Sequence, residues 1–378
     1  MNKIYLDNAA TTAIRPAVID SITDAMKTVF GNPSSVHQFG RSAKSMVETA
    51  RKNISNHLKV SSSEIYFTAG GSEANNLILW NAVAHLGVKR IITSNIEHHA
   101  VLHKILALKS QYNFELEFVQ LDQYGQIDLN HLNELLEDSS FKTLVSLMYV
   151  NNEIGNILDI RKVGELCQKY NALFHSDTVQ GVGHFKLDLQ KTPIDFITAS
   201  AHKFHGPKGV GFLYIKKGIA VKPMLIGGEQ EKGLRAGTEN IHSILGMEKA
   251  LTISLTNLAE EEASIQNLKT YFINQLKAIA GIEFNGMSAD LSMSSYHILN
   301  VRFPVETDLL IFNLDLKGIA VSGGSACQSG AQKGSHVLGA LLTAKERNKA
   351  SIRFSFSYQN TIAELDYTIS VLKSIISA

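Results

Sequence analysis

The fold of this chain is indicated by residues 173–203, which read LFHSDTVQGVGHFKLDLQKTPIDFITASAHK. Two runs in this stretch, 173–177 and 196–200, consist mostly of apolar and small side chains, and a polar segment follows each of them. Short runs of this kind predict strands that are buried on both faces of a parallel sheet. Asp177 ends the first run and Lys203 follows the second. Because ligands of open α/β sheets bind beyond the carboxyl ends of the strands, both are candidate site residues.

The same alternation of apolar runs and helical patterns extends over the first two thirds of the chain. The predicted strands are 65–68, 90–94, 116–121, 143–149, 173–177, 196–200 and 211–215. The predicted helices between them are 72–86, 100–111, 129–137 and 160–170, the last with Asp159 as its N-cap. This order predicts an α/β fold with a mainly parallel, seven-stranded sheet and helices on both of its faces.

The pattern changes after about residue 240. Long helical segments over 241–280 are followed by short strands near 298–303 and 320–322, and a closing helix spans about 362–376. We therefore predict a smaller α+β domain, formed by residues 1–12 and 256–378, beside a large domain formed by residues 13–255.

The composition is that of an ordinary globular protein, with 44% hydrophobic and 19% charged residues among 378. The formal net charge is +1, which provides no electrostatic footprint for nucleic acid or for an anionic membrane. No apolar run approaches the roughly 20 residues of a membrane helix, and the N-terminus lacks the layout of a signal peptide. The two cysteines, Cys167 and Cys327, are too few for a disulfide framework and lack the paired spacing of a zinc site. We expect a cytoplasmic protein without a metal site.

A glycine-rich turn follows the first predicted strand. Residues 69–73 read AGGSE and lead directly into a helix, so Gly71 and Ser72 lie at its start. Free backbone N–H groups and the positive end of the helix dipole suit a phosphate group. For the motif alone, a plain turn with Ser72 as the N-cap is the more common explanation.

Asp177 and Lys203 suggest cofactor chemistry. An aspartate at a strand end can pair with a pyridine nitrogen and keep it protonated, although Asp177 also suits a simple turn. A lysine just after a buried strand can form a Schiff base, since desolvation favours its neutral amine. A lone lysine on the surface is otherwise the commoner case.

In combination these features are more specific. A phosphate turn, a strand-end aspartate and a strand-end lysine, in this order on one sheet, resemble the fold-type I enzymes that depend on pyridoxal 5′-phosphate (PLP). Further segments resemble those of the cysteine desulfurases: YLDNAATT at 5–12, GNPSS at 31–35, EH at 97–98, NNEIG at 151–155, SAHK at 200–203, RAGTEN at 235–240 and SGGSAC at 322–327. The Ser-Ala-Cys form is similar to that of the group that supplies iron–sulfur cluster assembly.

The resemblance implies a role for each matching residue around the cofactor ring. Lys203 matches the lysine that holds PLP covalently, and Asp177 matches the partner of the pyridine nitrogen. Gln180 matches the residue near the phenolic oxygen of PLP. His98 matches an imidazole that stacks on the ring and assists proton transfer.

The resemblance also implies contacts for the phosphate and the substrate. The phosphate contacts would come from Gly71, Ser72, Ser200 and His202, together with Thr238 from the other subunit of a homodimer. Asn152 and Arg353 match the residues that hold the substrate carboxylate, and the fork of an arginine binds a carboxylate bidentately.

Cys327 matches the residue that receives sulfur. It lies in a Gly/Ser-rich segment, which favours a mobile loop over a packed core position. Cys167 lies in the middle of a predicted helix, where a small core residue is the expected role.

The resemblance thus implies an L-cysteine desulfurase that yields L-alanine and a persulfide on Cys327, which passes its sulfur to a protein acceptor such as an iron–sulfur scaffold. The alternatives are a selenocysteine lyase, an aminotransferase of the same fold, or an inactive scaffold that binds no PLP.

Overall fold

The computed structural model describes residues 3–138, 140–305, 309–323 and 334–376. The strands in these ranges are β1 (Ile4–Tyr5), β2 (Ile65–Thr68), β3 (Arg90–Thr93), β4 (Glu115–Phe118), β5 (Thr143–Ser146), β6 (Leu173–Asp177), β7 (Phe196–Ser200), β8 (Gly211–Ile215), β9 (Glu283–Phe284), β10 (Ile298–Arg302), β11 (Ile319–Ala320), β12 (Ser322–Gly323) and β13 (Ser351–Ser355).

The helices within the described ranges are α1 (Pro16–Thr28), α2 (Gln38–Leu58), α3 (Gly71–Ala84), α4 (His99–Lys109), α5 (Leu129–Glu137), α6 (Ile160–Lys169), α7 (Ile241–Thr256), α8 (Leu258–Lys277), α9 (Leu309–Leu316), α10 (His336–Leu341), α11 (Ala344–Arg347) and α12 (Ile362–Ile376). None of them is both long and apolar enough to cross a bilayer.

The central sheet has seven strands in the described part of the chain, in the order β2-β8-β7-β6-β5-β3-β4. All neighbouring pairs from β7 to β4 are parallel, whereas β8 runs antiparallel to both β7 and β2. The predicted α/β class and mainly parallel sheet are confirmed. Four of the predicted strands, β2, β6, β7 and β8, have the predicted bounds.

Three strands end earlier than the sequence predicts. The longest overruns are three residues each: β4 ends at Phe118 instead of residue 121, and β5 ends at Ser146 instead of residue 149. The backbone N–H groups of Leu147 and Tyr149 still donate to carbonyl oxygens of β6, at 3.1 and 2.9 Å. The apolar run therefore continues beside β6 after the regular ladder has ended.

Helices cover both faces of the sheet. Side chains from alternating strand positions pack on one face against α1, α2, α5, α6 and α7, and on the other face against α3 and α4. Every residue of β3, β5, β7 and β8 is buried, which explains why these strands read as nearly continuous apolar runs. The site-bearing strand ends are thus held in a rigid, two-sided core.

The C-terminal part forms a second core. An antiparallel sheet in the order β12-β13-β10-β9 packs with α8, α9 and α12. The N-terminal strand β1 joins this part by pairing in parallel with β11. The division into domains at residues 12/13 and 255/256 stays a prediction.

Candidate active site

A cavity of about 340 Å³ lies at the carboxyl ends of β6 and β7. Ten predicted site residues line it: Gly71, Ser72, His98, Asn152, Asp177, Gln180, Ser200, His202, Lys203 and Arg353. The sequence prediction therefore identified side chains that the fold brings to one place, although they are dispersed over almost three hundred positions.

The remaining two predicted site residues, Thr238 and Cys327, have different outcomes. Thr238 is exposed and lies outside the lining of the cavity. Cys327 falls in the segment 324–333, which lies outside the described residues. The expected mobile loop around Cys327 concerns the same segment and stays a prediction.

Helix α3 begins directly at the cavity wall. Gly70 is its N-cap residue and has no side chain that could form a capping bond, so the alternative explanation with Ser72 as the N-cap is wrong. Gly70 has φ of +151°, which an L side chain rarely adopts. A Cβ on Gly71 would lie 2.5 Å from Cγ2 of Val179, so this close approach requires glycine. The helix thus presents its N–H groups to the cavity, as an anion site requires.

Asp177 is buried at the end of β6, with 5% of its surface exposed. Its Oδ2 accepts a hydrogen bond from Nδ2 of Asn75 at 2.7 Å, and its Oδ1 accepts one from the backbone N–H of Val179 at 3.0 Å. Both donors can only donate, so the two bonds are of the kind that an ionised carboxylate accepts. Each oxygen keeps a further lone pair for a ligand in the cavity.

Lys203 follows β7 in a single 3₁₀ turn, Ala201–Lys203. Its Nζ donates to the carbonyl oxygens of Ala9 and Ala10 at 2.7 and 2.9 Å. The side chain of Gln180 donates to the same carbonyl of Ala9 at 2.8 Å. The N-terminal segment after β1 therefore forms one wall of the cavity and holds the lysine amine within it.

His98 is the N-cap residue of α4 and lies in the cavity wall. Its Nδ1 accepts a hydrogen bond from the backbone N–H of Ala100 at 3.1 Å. Burial lowers the pKa of this imidazole, so the neutral form is favoured. Because Nδ1 uses its lone pair in the cap, the neutral ring carries its proton on Nε2.

His202 precedes Lys203 and also lines the cavity. Burial and the nearby ammonium groups of Lys203 and Lys208 lower its pKa to about 4. Its Nδ1 lies 3.2 Å from Oγ1 of Thr11. At neutral pH the ring is therefore an uncharged hydrogen-bonding group.

Arg353 lies in β13 and reaches the cavity from the C-terminal part of the chain. Its Nη2 donates to Oδ1 of Asp7 at 2.9 Å, and its Nη1 donates to the carbonyl oxygen of Asn152 at 2.7 Å. The Nε–H is buried and has no hydrogen-bond partner in the described part of the chain. A guanidinium with an unused donor is suited to bind a ligand carboxylate.

Two buried carboxyl groups near the cavity were missed by sequence reasoning. Burial raises the pKa of Glu97 to about 8 and that of Glu153 to about 7. Glu153 accepts a hydrogen bond from the hydroxyl of Ser335, the N-cap residue of α10. His336, the next residue, donates from Nε2 to the carbonyl oxygen of Glu97 at 2.8 Å. The start of α10 is thus fastened to the cavity wall.

The segment NNEIG pointed to Glu153, but nothing in the sequence indicated which residue binds its carboxyl group. Ser335 lies 182 positions away, and no local pattern relates the two residues. Cys167, in contrast, is buried in the middle of α6 within the main core, and burial raises the pKa of its thiol. It has the environment of a packing residue.

No group of three or more His, Cys, Asp or Glu side chains suited to bind a metal ion is present among the described residues. The adjacent histidines His98 and His99 have ring centroids 6.3 Å apart.

The chain is similar to characterised families over almost its whole length. The model of the aminotransferase class-V family matches residues 4–368. The cysteine desulfurase IscS of Dictyoglomus turgidum is 39% identical over 378 residues, which cover 99% of this chain and 94% of that protein. The putative cysteine desulfurase IscS 1 of Bacillus subtilis is 40% identical over 369 residues, with 97% and 96% covered. A solved NifS-like protein matches 100% of both chains with a TM-score of 0.91 and 34% identity.

Proposed function

The chain belongs to the aminotransferase class-V family, and we propose that it is a PLP-dependent L-cysteine desulfurase. It converts L-cysteine to L-alanine and transfers the sulfur to Cys327 as a persulfide. The fold is accordingly PLP fold type I, as the sequence predicts. The observation that carries the proposal is the meeting of Lys203, Asp177 and Arg353 in one cavity.

The residues of the cavity fit PLP. Its volume of about 340 Å³ falls within the range of roughly 300–1,000 Å³ that is usual for small-ligand sites. The uncapped start of α3 suits the phosphate, and the buried carboxylate of Asp177 suits the pyridine nitrogen. Gly71, Ser72, Ser200 and His202 complete the phosphate end of the wall. PLP, when bound, supplies an electron sink for the α-carbon of an amino acid.

Each remaining side chain has a task that follows from its contacts. Lys203 would hold the cofactor covalently once its amine leaves the carbonyls of Ala9 and Ala10. Gln180, which donates to the same carbonyl of Ala9, would contact the phenolic oxygen. His98 would stack on the ring. Because Nε2 already carries the proton, His98 can take up a further proton only at Nδ1, after its capping bond to Ala100 is released.

The substrate carboxylate binds at Arg353 and Asn152. The Nε–H of Arg353, which has no partner among the described residues, is available to it, and the carboxylate competes with Asp7 for Nη2. Because the fork of an arginine binds two oxygens at once, this contact fixes the orientation of the amino acid. The substrate thiol is then free to extend from the cavity.

The chain connectivity supports Cys327 as the sulfur acceptor. Gly323 pairs with Ile352 in the ladder between β12 and β13, and Arg353 is the next residue along β13. Cys327 is four residues after Gly323, so their Cα atoms are at most about 14 Å apart. The thiolate attacks the substrate sulfur, the carbon–sulfur bond breaks, and its electron pair remains on the carbon fragment that becomes alanine. A protein of iron–sulfur cluster assembly or thio-modification then accepts the sulfur.

We place Thr238 at the phosphate of the partner subunit in a homodimer. Exposed apolar side chains within residues 26–39 support an interface: Met26, Phe30, Val36 and Phe39 are between 56% and 87% exposed, and the rings of Phe30 and Phe39 are in contact. Single exposed apolar residues are common, whereas a cluster of this kind is typical of a contact surface. The proposed location of the dimer is the cytoplasm.

Replacement of Cys327 tests the proposal. In Cys327→Ser, PLP and L-cysteine should still bind, and L-cysteine should still change the visible absorbance. Release of alanine and sulfide should fall by roughly 100-fold or more, because a neutral hydroxyl is a far poorer nucleophile than a thiolate. The measurements are alanine and sulfide assays, and mass analysis of wild-type protein treated with L-cysteine without reductant, which should add one sulfur to the Cys327 peptide.

The matched control is Cys167→Ser, which should keep its turnover because Cys167 is buried in α6, away from the cavity. Sulfide release by Cys327→Ser at the wild-type rate would contradict the mechanism and favour a lyase or an aminotransferase.

A further inference from the structure

Asp177 is connected to a hydrogen-bond network of buried polar side chains, and the activity proposed above assigns no role to this network. Nδ2 of Asn75 donates to Oδ2 of Asp177 at 2.7 Å. Oδ1 of Asn75 lies 3.1 Å from Nε2 of His175, and Nδ1 of His175 lies 2.8 Å from Oγ of Ser146. Asn75, His175 and Ser146 are all at most 1% exposed. The hydrogen-bond network therefore lies wholly inside the protein.

The donor and the acceptor of every hydrogen bond in this network can be assigned. The amide group of Asn75 donates to Asp177 through Nδ2, so its Oδ1 can only accept. Nε2 of His175 must therefore carry the proton. Burial lowers the pKa of His175 to about 4, so the ring is neutral and its Nδ1 accepts from the hydroxyl of Ser146. A second donor, Oγ1 of Thr198, also bonds to Oδ1 of Asn75, at 3.0 Å.

The sheet and α3 together build this arrangement. Ser146 and His175 are paired residues of the neighbouring parallel strands β5 and β6. Asp177 is paired with Thr198 of β7. Asn75 comes from α3, one helical turn after the glycine at which the helix begins. Strands β6 and β7 and helix α3 thus meet at the amide group that contacts the carboxylate, and β5 holds His175 through Ser146.

We propose that Asn75 and His175 are positioning residues that orient the Asp177 carboxylate toward the pyridine nitrogen of PLP. The proposal rests on the PLP site inferred above. If His175 did not donate to Oδ1, the amide of Asn75 could rotate and turn its oxygen toward Asp177, where two acceptors would repel each other. Nε2–H of His175 can only donate, so it excludes that rotamer, whereas the Thr198 hydroxyl can donate or accept and suits both rotamers. Ser146 sets the tautomer of His175. The carboxylate then keeps one orientation and full acceptor strength.

Two substitutions of His175 separate positioning from packing. In His175→Gln the side-chain amide nitrogen reaches the place of Nε2 and can donate to Asn75. In His175→Asn the shorter side chain reaches only the place of Nδ1, so it can bond to Ser146 but not to Asn75. Asn75→Ala removes the donor to Asp177 altogether. Thr198→Val is the control, because it removes the other donor to the same oxygen and leaves His175 in place.

The readouts are the dissociation constant of PLP for the apoprotein and the ¹⁵N resonance of the ring nitrogen of labelled PLP. His175→Asn and Asn75→Ala should bind PLP about tenfold more weakly, and their ¹⁵N resonance should move toward that of an unprotonated ring. His175→Gln and Thr198→Val should resemble the wild type in both measurements. Thermal unfolding of the apoproteins shows whether each variant is folded.

Identical ¹⁵N shifts and affinities for His175→Asn and His175→Gln would overturn the positioning role, whatever their melting temperatures. If the wild type itself took up no PLP, the proposed function would fall instead, and that result is visible before any variant is made.

Discussion

Single residues decide what the cavity can bind. Lys203 and Asp177 were predicted because Asp177 ends a buried strand and Lys203 follows one, and the end of a strand is readable from a change in composition. Asn75 and His175 were not, because their contacts depend on which strands are neighbours and on the register between them. Sequence spacing carries no information on such pairs. The candidate ligand-binding side chains were thus predictable, and the residues that hold them were not.

At this scale, Lys203 provides a direct test of the cofactor. Wild-type protein should bind PLP with a visible absorbance band, and borohydride should remove this band while it attaches the cofactor to the peptide that contains Lys203. Lys203→Ala should bind PLP only non-covalently and lose its turnover. Lys208→Ala is the control, since Lys208 is exposed and only five positions away. A protein that takes up no PLP, or label on a different lysine, would refute this assignment.

Elements that contain strong periodic patterns were predicted well, and irregular ones were not. The closing helix α12 and the strands β6, β7 and β8 have the predicted bounds. Helices α1 and α2 were not assigned, and the turn Gln230–Gly233 gave no signal. Glu231 and Lys232 in this turn both have positive φ, at 47° and 59°. Tertiary contacts hold these strained residues, so the local sequence could not reveal the conformation.

The contact that holds this turn is a buried ion pair. The carboxylate of Glu231 accepts from Nη1 and Nη2 of Arg51 at 2.7 and 2.8 Å, and it also accepts from the backbone N–H of Phe67 at 2.8 Å. Both charged side chains are 3% exposed. The turn leads along the chain to Thr238, so the pair anchors the segment that we assign to the partner's phosphate site.

We expect Arg51→Met to lower the free energy of unfolding by about 3–5 kcal/mol, because it leaves the carboxylate of Glu231 buried without its charged partner. The double variant Arg51→Met/Glu231→Gln should recover part of this loss. Urea unfolding monitored by circular dichroism measures the changes. Arg161→Met is the control: its exposed pair with Glu165 should leave the unfolding midpoint almost unchanged. An equally small effect of Arg51→Met would mean that the pair does not hold the turn.

On the scale of the whole molecule, the single chain leaves two features unexplained. A cluster of apolar side chains is left on the surface near the start of α2, where the rings of Phe30 and Phe39 are 5.0 Å apart. Thr238 matches a phosphate contact, yet it lies outside the cavity of its own chain. A two-fold dimer accounts for both facts, since an isologous interface buries the same patch twice and lets each chain complete the site of the other.

The proposed dimer predicts complementation between two inactive variants. Lys203→Ala removes the amine from a subunit's own site, and Thr238→Glu places a carboxylate beside the phosphate of the partner's site, where it repels the anion. Each variant alone should be inactive. In a mixed dimer, one site carries both substitutions and the other carries neither, so that activity should return to about half of the wild-type value per mixed dimer. Sulfide release after subunit exchange measures this recovery of activity, and light scattering should give about twice the 41.5 kDa of one chain.

Two surface substitutions serve as controls for the interface. Phe30→Glu should yield monomers, and Phe312→Glu, on an exposed face of α9, should not. A fully active monomer, or mixtures that remain inactive although subunits exchange, would exclude shared sites.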